Sequence, residues 1–306
     1  MIYALKVGKH LILFVCIALV CLTLVMLIRP SQITSPTHSL PVITKTPPGV
    51  SPTTMTQKHI FLIMMENKGY DNIIGNTQAP YINTLAHTYA LATNYSGVSH
   101  PSLPNYLALT AGSTLGITSD CNSCYQNSSN IGDEIERAGE TWKAYMQDMP
   151  SPCYIGNTTT YAQKHDPFIY YDDIRTNAGR CQSHIVPLSQ LTTDIKGNSV
   201  PDFTWITPNL CNDMHDCSVA AGDTWFSQFL PTILDSDAYK NDGTIYIVWD
   251  ESDSIIDPHI PMIIISNNIH QAVYTDKANH YTLLAAIEDQ LHLPRLGQSI
   301  GISSNL

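Results

Sequence analysis

Acidic residues are absent from the first 58 residues of the 306-residue chain, and basic residues are scarce in the rest. Residues 59–306 carry 10 Lys and Arg against 26 Asp and Glu, a formal balance of −16. A domain so poor in basic side chains is not a nucleic-acid-binding domain, because such binding relies on neutralising phosphates. If this domain binds phosphate, a bound metal ion is the usual source of positive charge.

Polar residues are also nearly missing from residues 11–28, where only Thr23 interrupts the apolar run. A helix of this length reaches about 27 Å, close to the thickness of a bilayer core. The run lacks a small-residue cleavage site, and neither Cys16 nor Cys21 follows the small residue of a lipobox. We predict a short segment at 1–10 and an uncleaved transmembrane signal anchor at 11–28; a cleaved signal peptide is the alternative.

Little in residues 29–58 can form a core, because six prolines and eleven Ser and Thr residues dominate this segment. Such a composition is typical of an extended stalk. We therefore predict that residues 59–306 form one folded domain, held at the cell membrane by a single span.

Six cysteines lie beyond the predicted anchor: Cys121, Cys124, Cys153, Cys181, Cys211 and Cys217. An even number predicts up to three disulfides in an oxidising compartment, with the pairing left open. The rival interpretation is a zinc site on Cys121 and Cys124, but the spacing of Cys211 and Cys217 does not supply the second close pair. The cysteines thus predict that the domain is extracellular, or secreted if the N-terminal segment is cleaved.

Four short apolar runs in the domain read as buried strands, at 59–66, 201–208, 244–251 and 261–266. Between these strands lie segments whose apolar residues repeat at helical spacing. One predicted helix contains Pro231, which must kink or shorten it, and another runs from Tyr281 to Leu291 before Pro294. Strands that alternate with helices predict an α/β domain with a largely parallel central sheet flanked by helices.

Two of these strands end on carboxylates. Glu66 and Asn67 follow the first, and Asp250 and Glu251 follow the third. Sites in parallel sheets lie at the carboxyl ends of strands, so we expect these oxygens to converge. Buried like charges need a cation or proton between them, which predicts a divalent metal ion; separate strand-end acids that cap helices are the alternative.

Ser102 stands before a predicted helix whose face includes Leu103, Tyr106, Leu107 and Thr110. In that position a serine usually acts as the N-cap. It also lies at the positive end of the helix, where an arriving phosphate is favoured. Taken alone, the capping interpretation is the stronger one.

Two further polar clusters are KHDPF at 164–168 and PNLCNDMHDC at 208–217. The second follows a strand and places Asp213 and His215 between two cysteines. His259 precedes another strand and is equally well explained as a structural histidine. Both clusters support a polar site without defining it.

Six segments in this order resemble the bacterial phosphoesterase family of phospholipases C and acid phosphatases: MMENKGYDN, HPSLPNYLALTAG, KHDPF, PNLCNDMHDC, VWDES and NHYTLLAAIEDQL. The resemblance covers residues 59–298 and is greatest to secreted acid phosphatases that act on phosphatidylinositol 3-phosphate. It implies an alkaline-phosphatase-like fold and hydrolysis of a phosphorylated small molecule or phosphoinositide.

The resemblance also implies roles for individual residues. The nucleophile is Ser102, and the metal ligands are Glu66, Asn67, Ser102, Asp250 and Glu251. Asn105 matches an asparagine that binds phosphate in nucleotide pyrophosphatases of the same superfamily. The remaining candidates would hold phosphate, bind a second metal ion or protonate the leaving group: His165, Asp213, His215 and His259. Two zinc ions on Asp and His ligands are the superfamily pattern, so these all-oxygen sets leave the ion and its number open.

Two alternatives remain at this level. The same scaffold supports phosphodiester cleavage of the phospholipase C type. The second alternative is a cell-surface binding module on a stalk, without activity. Such a module would have lost its site residues, but Glu66, Ser102, Asp250 and Glu251 are all present.

Overall fold

The computed structural model describes residues 59–304 and residue 306. The predicted anchor at 11–28 and the stalk at 29–58 lie outside the described residues, so both stay predictions. Within the described part of the chain, no helix is long and apolar enough to cross a membrane.

Ten strands are found among the described residues. In chain order they are β1 (His59–Met65), β2 (Ala90–Ala92), β3 (Tyr95–Ser96), β4 (Trp142–Met146), β5 (Ile185–Pro187), β6 (Phe203–Thr207), β7 (Gly243–Trp249), β8 (Met262–Ser266), β9 (Ala272–Tyr274) and β10 (Ala278–Asn279). Eight of them form one sheet in the order β5-β4-β6-β1-β7-β8-β2-β9, and β3 and β10 form a separate pair.

The α-helices of the described residues number ten. They are α1 (Tyr70–Ile73), α2 (Pro80–Thr88), α3 (Ser102–Ala111), α4 (Ile131–Ala138), α5 (Asp172–Arg175), α6 (Ala178–His184), α7 (Ser189–Lys196), α8 (Val219–Leu234), α9 (Asp237–Asp242) and α10 (His280–Gln290). Short 3₁₀ turns cover Gln163–His165, Pro167–Tyr170 and Gly297–Ser299.

The large sheet is parallel except at one strand. β1 pairs in parallel with β6 and β7, and β4 pairs in parallel with β5 and β6. β8 runs antiparallel between β7 and β2. The central strands β6 and β7 are buried at every position, which is why they read as continuous apolar runs in the sequence. The predicted α/β domain with a largely parallel sheet is confirmed.

The predicted elements match the observed ones closely. All four predicted strands are present, as β1, β6, β7 and β8. Helix α8 contains Pro231 and continues for three residues beyond it, to Leu234. Pro231 therefore lies in the last turn of the helix. Helix α10 ends at Gln290, before Pro294.

All six cysteines of the described domain form disulfides: Cys121–Cys124, Cys153–Cys181 and Cys211–Cys217. The prediction of up to three disulfides is therefore confirmed. The zinc interpretation of Cys121 and Cys124 is wrong, since both sulfur atoms are bonded to each other.

Helix α3 is buried along its whole length and packs against α10 and two of the 3₁₀ turns. It ends at Gly112, which has a φ of +65°. A Cβ atom at Gly112 would lie 2.1 Å from the carbonyl oxygen of Leu296. The Gln298 amide donates to the Gly112 carbonyl over 2.7 Å, so the turn at 297–299 closes over this helix end.

Replacing Gly112 with alanine should destabilise the domain more than the same change at Gly116. Both glycines have positive φ, but a Cβ at Gly116 (φ +75°) would meet nothing within 4 Å. We expect Gly116→Ala to cost roughly 1–2 kcal/mol, the cost of a left-handed alanine. Gly112→Ala should cost roughly 1–3 kcal/mol more, because the backbone of Leu296 must move. Urea unfolding of both variants measures the difference, and equal losses would contradict the close contact.

Candidate active site

Polar residues follow the carboxyl ends of three neighbouring central strands, β6, β1 and β7. Glu66 follows β1, and Asp250 and Glu251 follow the neighbouring β7. Asp213 lies in the loop after β6, on the other side of β1, and its carbonyl accepts the Glu66 amide over 2.9 Å. All four carboxylates are buried. The predicted convergence at the carboxyl ends of the strands is therefore what the fold produces.

Ser102 is the first residue of α3, and Pro101 holds the N-cap position predicted for the serine. The hydroxyl donates to Glu66 Oε2 over 3.1 Å and also lies 3.4 Å from Glu251 Oε1. The helix start is capped instead by Asp120, whose Oδ1 accepts the Leu103 amide over 3.0 Å. The capping interpretation of Ser102 is thus wrong. Its buried hydroxyl faces carboxylates from two different strands.

His165 lies between two carboxylates. Its Nε2 is 3.1 Å from Glu66 Oε2, and its Nδ1 is 3.4 Å from Asp213 Oδ2. Burial alone would lower the pKa of His165, but the charge of Glu66 and the contacts with both carboxylates raise it to about 10. Burial likewise opposes ionisation of Glu66, yet His165 and a hydrogen bond from Tyr106 bring the Glu66 pKa below its usual value. Glu66 and His165 therefore form a buried ion pair.

A second set of basic groups surrounds this pair. Lys164 Nζ lies 2.9 Å from Asp120 Oδ2 and 3.3 Å from His215 Nε2. His215 Nδ1 in turn lies 2.6 Å from Asp216 Oδ1. On the other side of Ser102, His100 Nδ1 contacts Glu251 Oε2. Basic side chains thus approach the serine from several segments, although the domain as a whole is acidic.

Asn67 turns the chain sharply at the end of β1. Its φ is +42°, a left-handed value that asparagine tolerates better than most residues. Its amide donates to Asp250 Oδ1 over 3.0 Å. Two oxygens of this corner are buried and have no hydrogen-bond donor: Asn67 Oδ1 and Asp250 Oδ2. Buried acceptors without a partner are costly, so a cation or a proton would complete this corner.

Asp250 and Glu251, the carboxylates that follow β7, are also difficult to keep ionised in this buried position. Burial, followed by the charges of Glu66 and Glu251, raises the pKa of Asp250 well above its usual range. Burial and the charge of Glu66 raise the pKa of Glu251 to about 8. Although His100 contacts Glu251, the pKa of both carboxyls stays raised, which favours a proton or a metal ion at Asp250 and Glu251.

The residues present fit a divalent cation. Asn67, Asp250 and Glu251, together with Glu66 and Ser102, form the all-oxygen set that hard cations prefer. A second combination, Glu66, His165 and His215, also has ligand atoms within 4.8 Å of one another. Both sets include Glu66, so they are alternative ways to hold an ion in one cluster, and the oxygen set is the one that the sequence predicted.

Two predicted phosphate-binding residues have other contacts. The Asn105 side chain accepts the amides of Val98 and Ser99 and donates to the carbonyls of Ser99 and Pro101, at 2.9–3.3 Å. It therefore holds the 98–101 loop rather than presenting a free amide. His259 stacks on Tyr70 at 4.3 Å and has its Nε2 3.1 Å from the Thr93 carbonyl. These contacts support the structural alternative for His259.

Sequence reasoning missed four contributors to the site: His100, Tyr106, Asp120 and Lys164. Two of them had a usable signal, since His100 and Lys164 lie within two residues of Ser102 and His165. The sequence places Tyr106 only on an apolar helix face, and nothing in the local sequence links Asp120 to α3.

The fold and this site define a class. The domain has an alkaline-phosphatase-like α/β fold, shared with a protein of the alkaline phosphatase superfamily from Vibrio parahaemolyticus (TM-score 0.55, 12% identity, 76% of this chain and 66% of that one). The lipoteichoic acid synthase LtaP of Listeria monocytogenes has the same fold (TM-score 0.58, 10% identity, 79% and 74% covered).

Sequence comparison narrows the class. Residues 76–294 match the Phosphoesterase family. The chain is 32% identical over 249 residues to the Phosphatidylinositol-3-phosphatase of Mycobacterium tuberculosis, which covers 79% of each. It is 30% identical over 258 residues to a Probable acid phosphatase of Kluyveromyces lactis, covering 80% of this chain and 60% of that protein. The chain belongs to the Phosphoesterase family and is, by that membership, a phosphoric ester hydrolase.

Proposed function

We propose that this protein hydrolyses phosphate monoesters through a phosphoserine formed on Ser102. The observation that supports this best is the Ser102 hydroxyl itself. It is fully buried, is not used as a helix cap, and lies between Glu66 and Glu251. This arrangement places a nucleophile within hydrogen-bond reach of two groups that can accept its proton.

A divalent cation held by Glu66, Asn67, Asp250 and Glu251 would supply Lewis-acid chemistry that favours the Ser102 alkoxide. In the first step, the Ser102 oxygen bonds to phosphorus as the bond from phosphorus to the alcohol oxygen breaks. The hydroxyl proton passes to one of the two carboxylates that Ser102 contacts. In the second step, a water molecule bonds to phosphorus and gives one proton to the group that protonated the alcohol. The bond from phosphorus to Ser102 breaks, the serine oxygen takes its proton back from the carboxylate, and phosphate leaves.

The leaving alcohol needs a proton, and His215 is our candidate donor. It is half-buried, and Lys164, whose Nζ lies 3.3 Å from its Nε2, can supply the proton that His215 passes on. His165 is enclosed, with both ring nitrogens against carboxylates. Asp216 orients the His215 ring through Nδ1. His165 would instead keep Glu66 and Asp213 in place, and its charge, with that of Lys164, would attract the phosphate dianion.

The test of this proposal is a trapped intermediate. Rapid acid quenching after mixing with a labelled monoester should leave the label on the peptide that contains Ser102. Hydrolysis of p-nitrophenyl phosphate should exceed that of bis-p-nitrophenyl phosphate. Label on another residue would contradict the nucleophile, and preference for the diester would favour cleavage of the phospholipase C type instead.

The substrate and location are proposed on separate grounds. The mycobacterial relative is named for phosphatidylinositol 3-phosphate, and we propose a phosphoinositide or a phosphorylated small molecule for this chain. We further propose that residues 11–28 anchor it in the cell membrane with the domain outside, or that it is secreted after cleavage. Three disulfides support an oxidising location.

A further inference from the structure

Two neighbouring isoleucines are almost fully exposed beside the candidate active site. Ile255 is 85% exposed and Ile256 is 90% exposed, more than any other large hydrophobic residue among those described. Both lie in the loop that leaves Glu251 at the carboxyl end of β7. Exposed apolar pairs of this kind mark interaction surfaces more often than isolated residues do.

The loop that carries them is held at both ends. Before the isoleucines, Asp253 accepts the Gly69 amide and the Asn72 side chain, each over 3.3 Å. After them, the Pro258 carbonyl accepts the Gly97 amide over 2.9 Å. The tip is therefore presented on fixed supports, which reduces the conformational entropy lost when it binds.

We infer that Ile255 and Ile256 insert into a lipid surface and bring the mouth of the site to the bilayer. The pair is far too small for a stable protein interface, which needs about 800 Å² on each partner. It suits shallow insertion, in which apolar side chains enter the boundary between headgroups and acyl chains by about 5–10 Å. The apolar run at 11–28 is long enough to keep the domain near such a surface.

The charges near the two isoleucines indicate which kind of lipid surface they would enter. Asp253 and Asp257 flank the two isoleucines, and the domain carries an excess of acidic residues. Repulsion by anionic headgroups should oppose insertion, so a surface rich in zwitterionic lipid is the better partner. Ile300, which is 67% exposed, follows the turn at the C-terminal end of α3 and provides a comparison away from the Ser102 end of that helix.

Photocross-linking of the full-length protein in zwitterionic nanodiscs tests the inference without turnover. Ile256→p-benzoylphenylalanine should yield a lipid adduct, detected by its mass, and Ile300→p-benzoylphenylalanine should not. Adducts to protein, or equal lipid adducts at both positions, would overturn the inference.

A kinetic experiment also tests the inference, and it rests on the proposed function. In the same nanodiscs, Ile255→Ser with Ile256→Ser should lower hydrolysis of embedded phosphatidylinositol 3-phosphate by about tenfold or more. Hydrolysis of p-nitrophenyl phosphate should stay within about twofold of wild type, and leucine at both positions should restore lipid turnover. Equal losses on both substrates would overturn insertion. If wild type hydrolyses neither, the proposed function fails and the cross-links alone decide the inference.

Discussion

Ser102→Ala is expected to lower kcat on p-nitrophenyl phosphate by on the order of 10⁴–10⁶, the scale seen when a nucleophile that acts with its partners is removed. The reason is that the Ser102 oxygen is the atom that we propose to bond to phosphorus. The fold should survive, because alanine suits a helix and the lost hydrogen bond to Glu66 is worth about 1 kcal/mol. Steady-state kinetics and thermal unfolding measure the two effects separately.

Ser113→Ala is the matched control. Ser113 lies just beyond the C-terminal end of the same helix, and its hydroxyl accepts only a local hydrogen bond from the Leu115 amide over 3.1 Å. It should retain activity near that of wild type. If Ser102→Ala kept more than about one hundredth of the wild-type rate, Ser102 would not be the nucleophile.

Removing divalent metal should be nearly as damaging. A metal ion supplies several kcal/mol of stabilisation to the transition state. Dialysis against a chelator should therefore lower kcat by at least about 10³, and a divalent ion should restore it. Asp250→Asn should weaken metal binding while the metal-free protein stays as stable as wild type. The reason is that asparagine replaces a carboxyl whose pKa burial has raised well above its usual range.

The pH dependence of metal binding provides a second measurement on the same site. In the metal-free protein the pKa of Glu251 is raised to about 8, so below pH 8 the carboxyl holds a proton that a metal ion must displace. Metal affinity should fall as pH falls below 8, with proton release seen by calorimetry in two buffers. Asp257→Asn, at an exposed acid outside this cluster, should change neither affinity nor proton release. Full activity after complete metal removal would rule out this assignment.

The sequence predicted β1, β6 and β7 because each is a short apolar run. The runs of β1 and β7 also end on carboxylates, Glu66 and Asp250, and these two strands are adjacent in the sheet. The pairing of β1 with β6 and β7 could not be read from the runs themselves, since buried parallel strands look alike in sequence. The side on which Asp213 approaches Glu66 was therefore open.

Side-chain partners were harder to predict than strand ends. Ser102 was expected at the N-cap, but Pro101 takes that position and Asp120, from a later loop, caps the helix. His165 gains its charge only from Glu66 and Asp213, which are distant in sequence. For Asn105, a motif match predicted a contact with phosphate, and the structure adds a role that the motif did not predict, since its side chain hydrogen-bonds to the backbone at 98–101.

Glu66 contacts three side chains at once. It accepts hydrogen bonds from Ser102 and Tyr106, and it forms an ion pair with His165. Substitutions at these positions should be strongly non-additive, because each alters the same carboxylate. A lineage that loses one member thus relaxes the constraint on the other two, and a lineage that keeps the reaction must change them together. Covariation among these four positions is the evolutionary trace that such a shared carboxylate should leave.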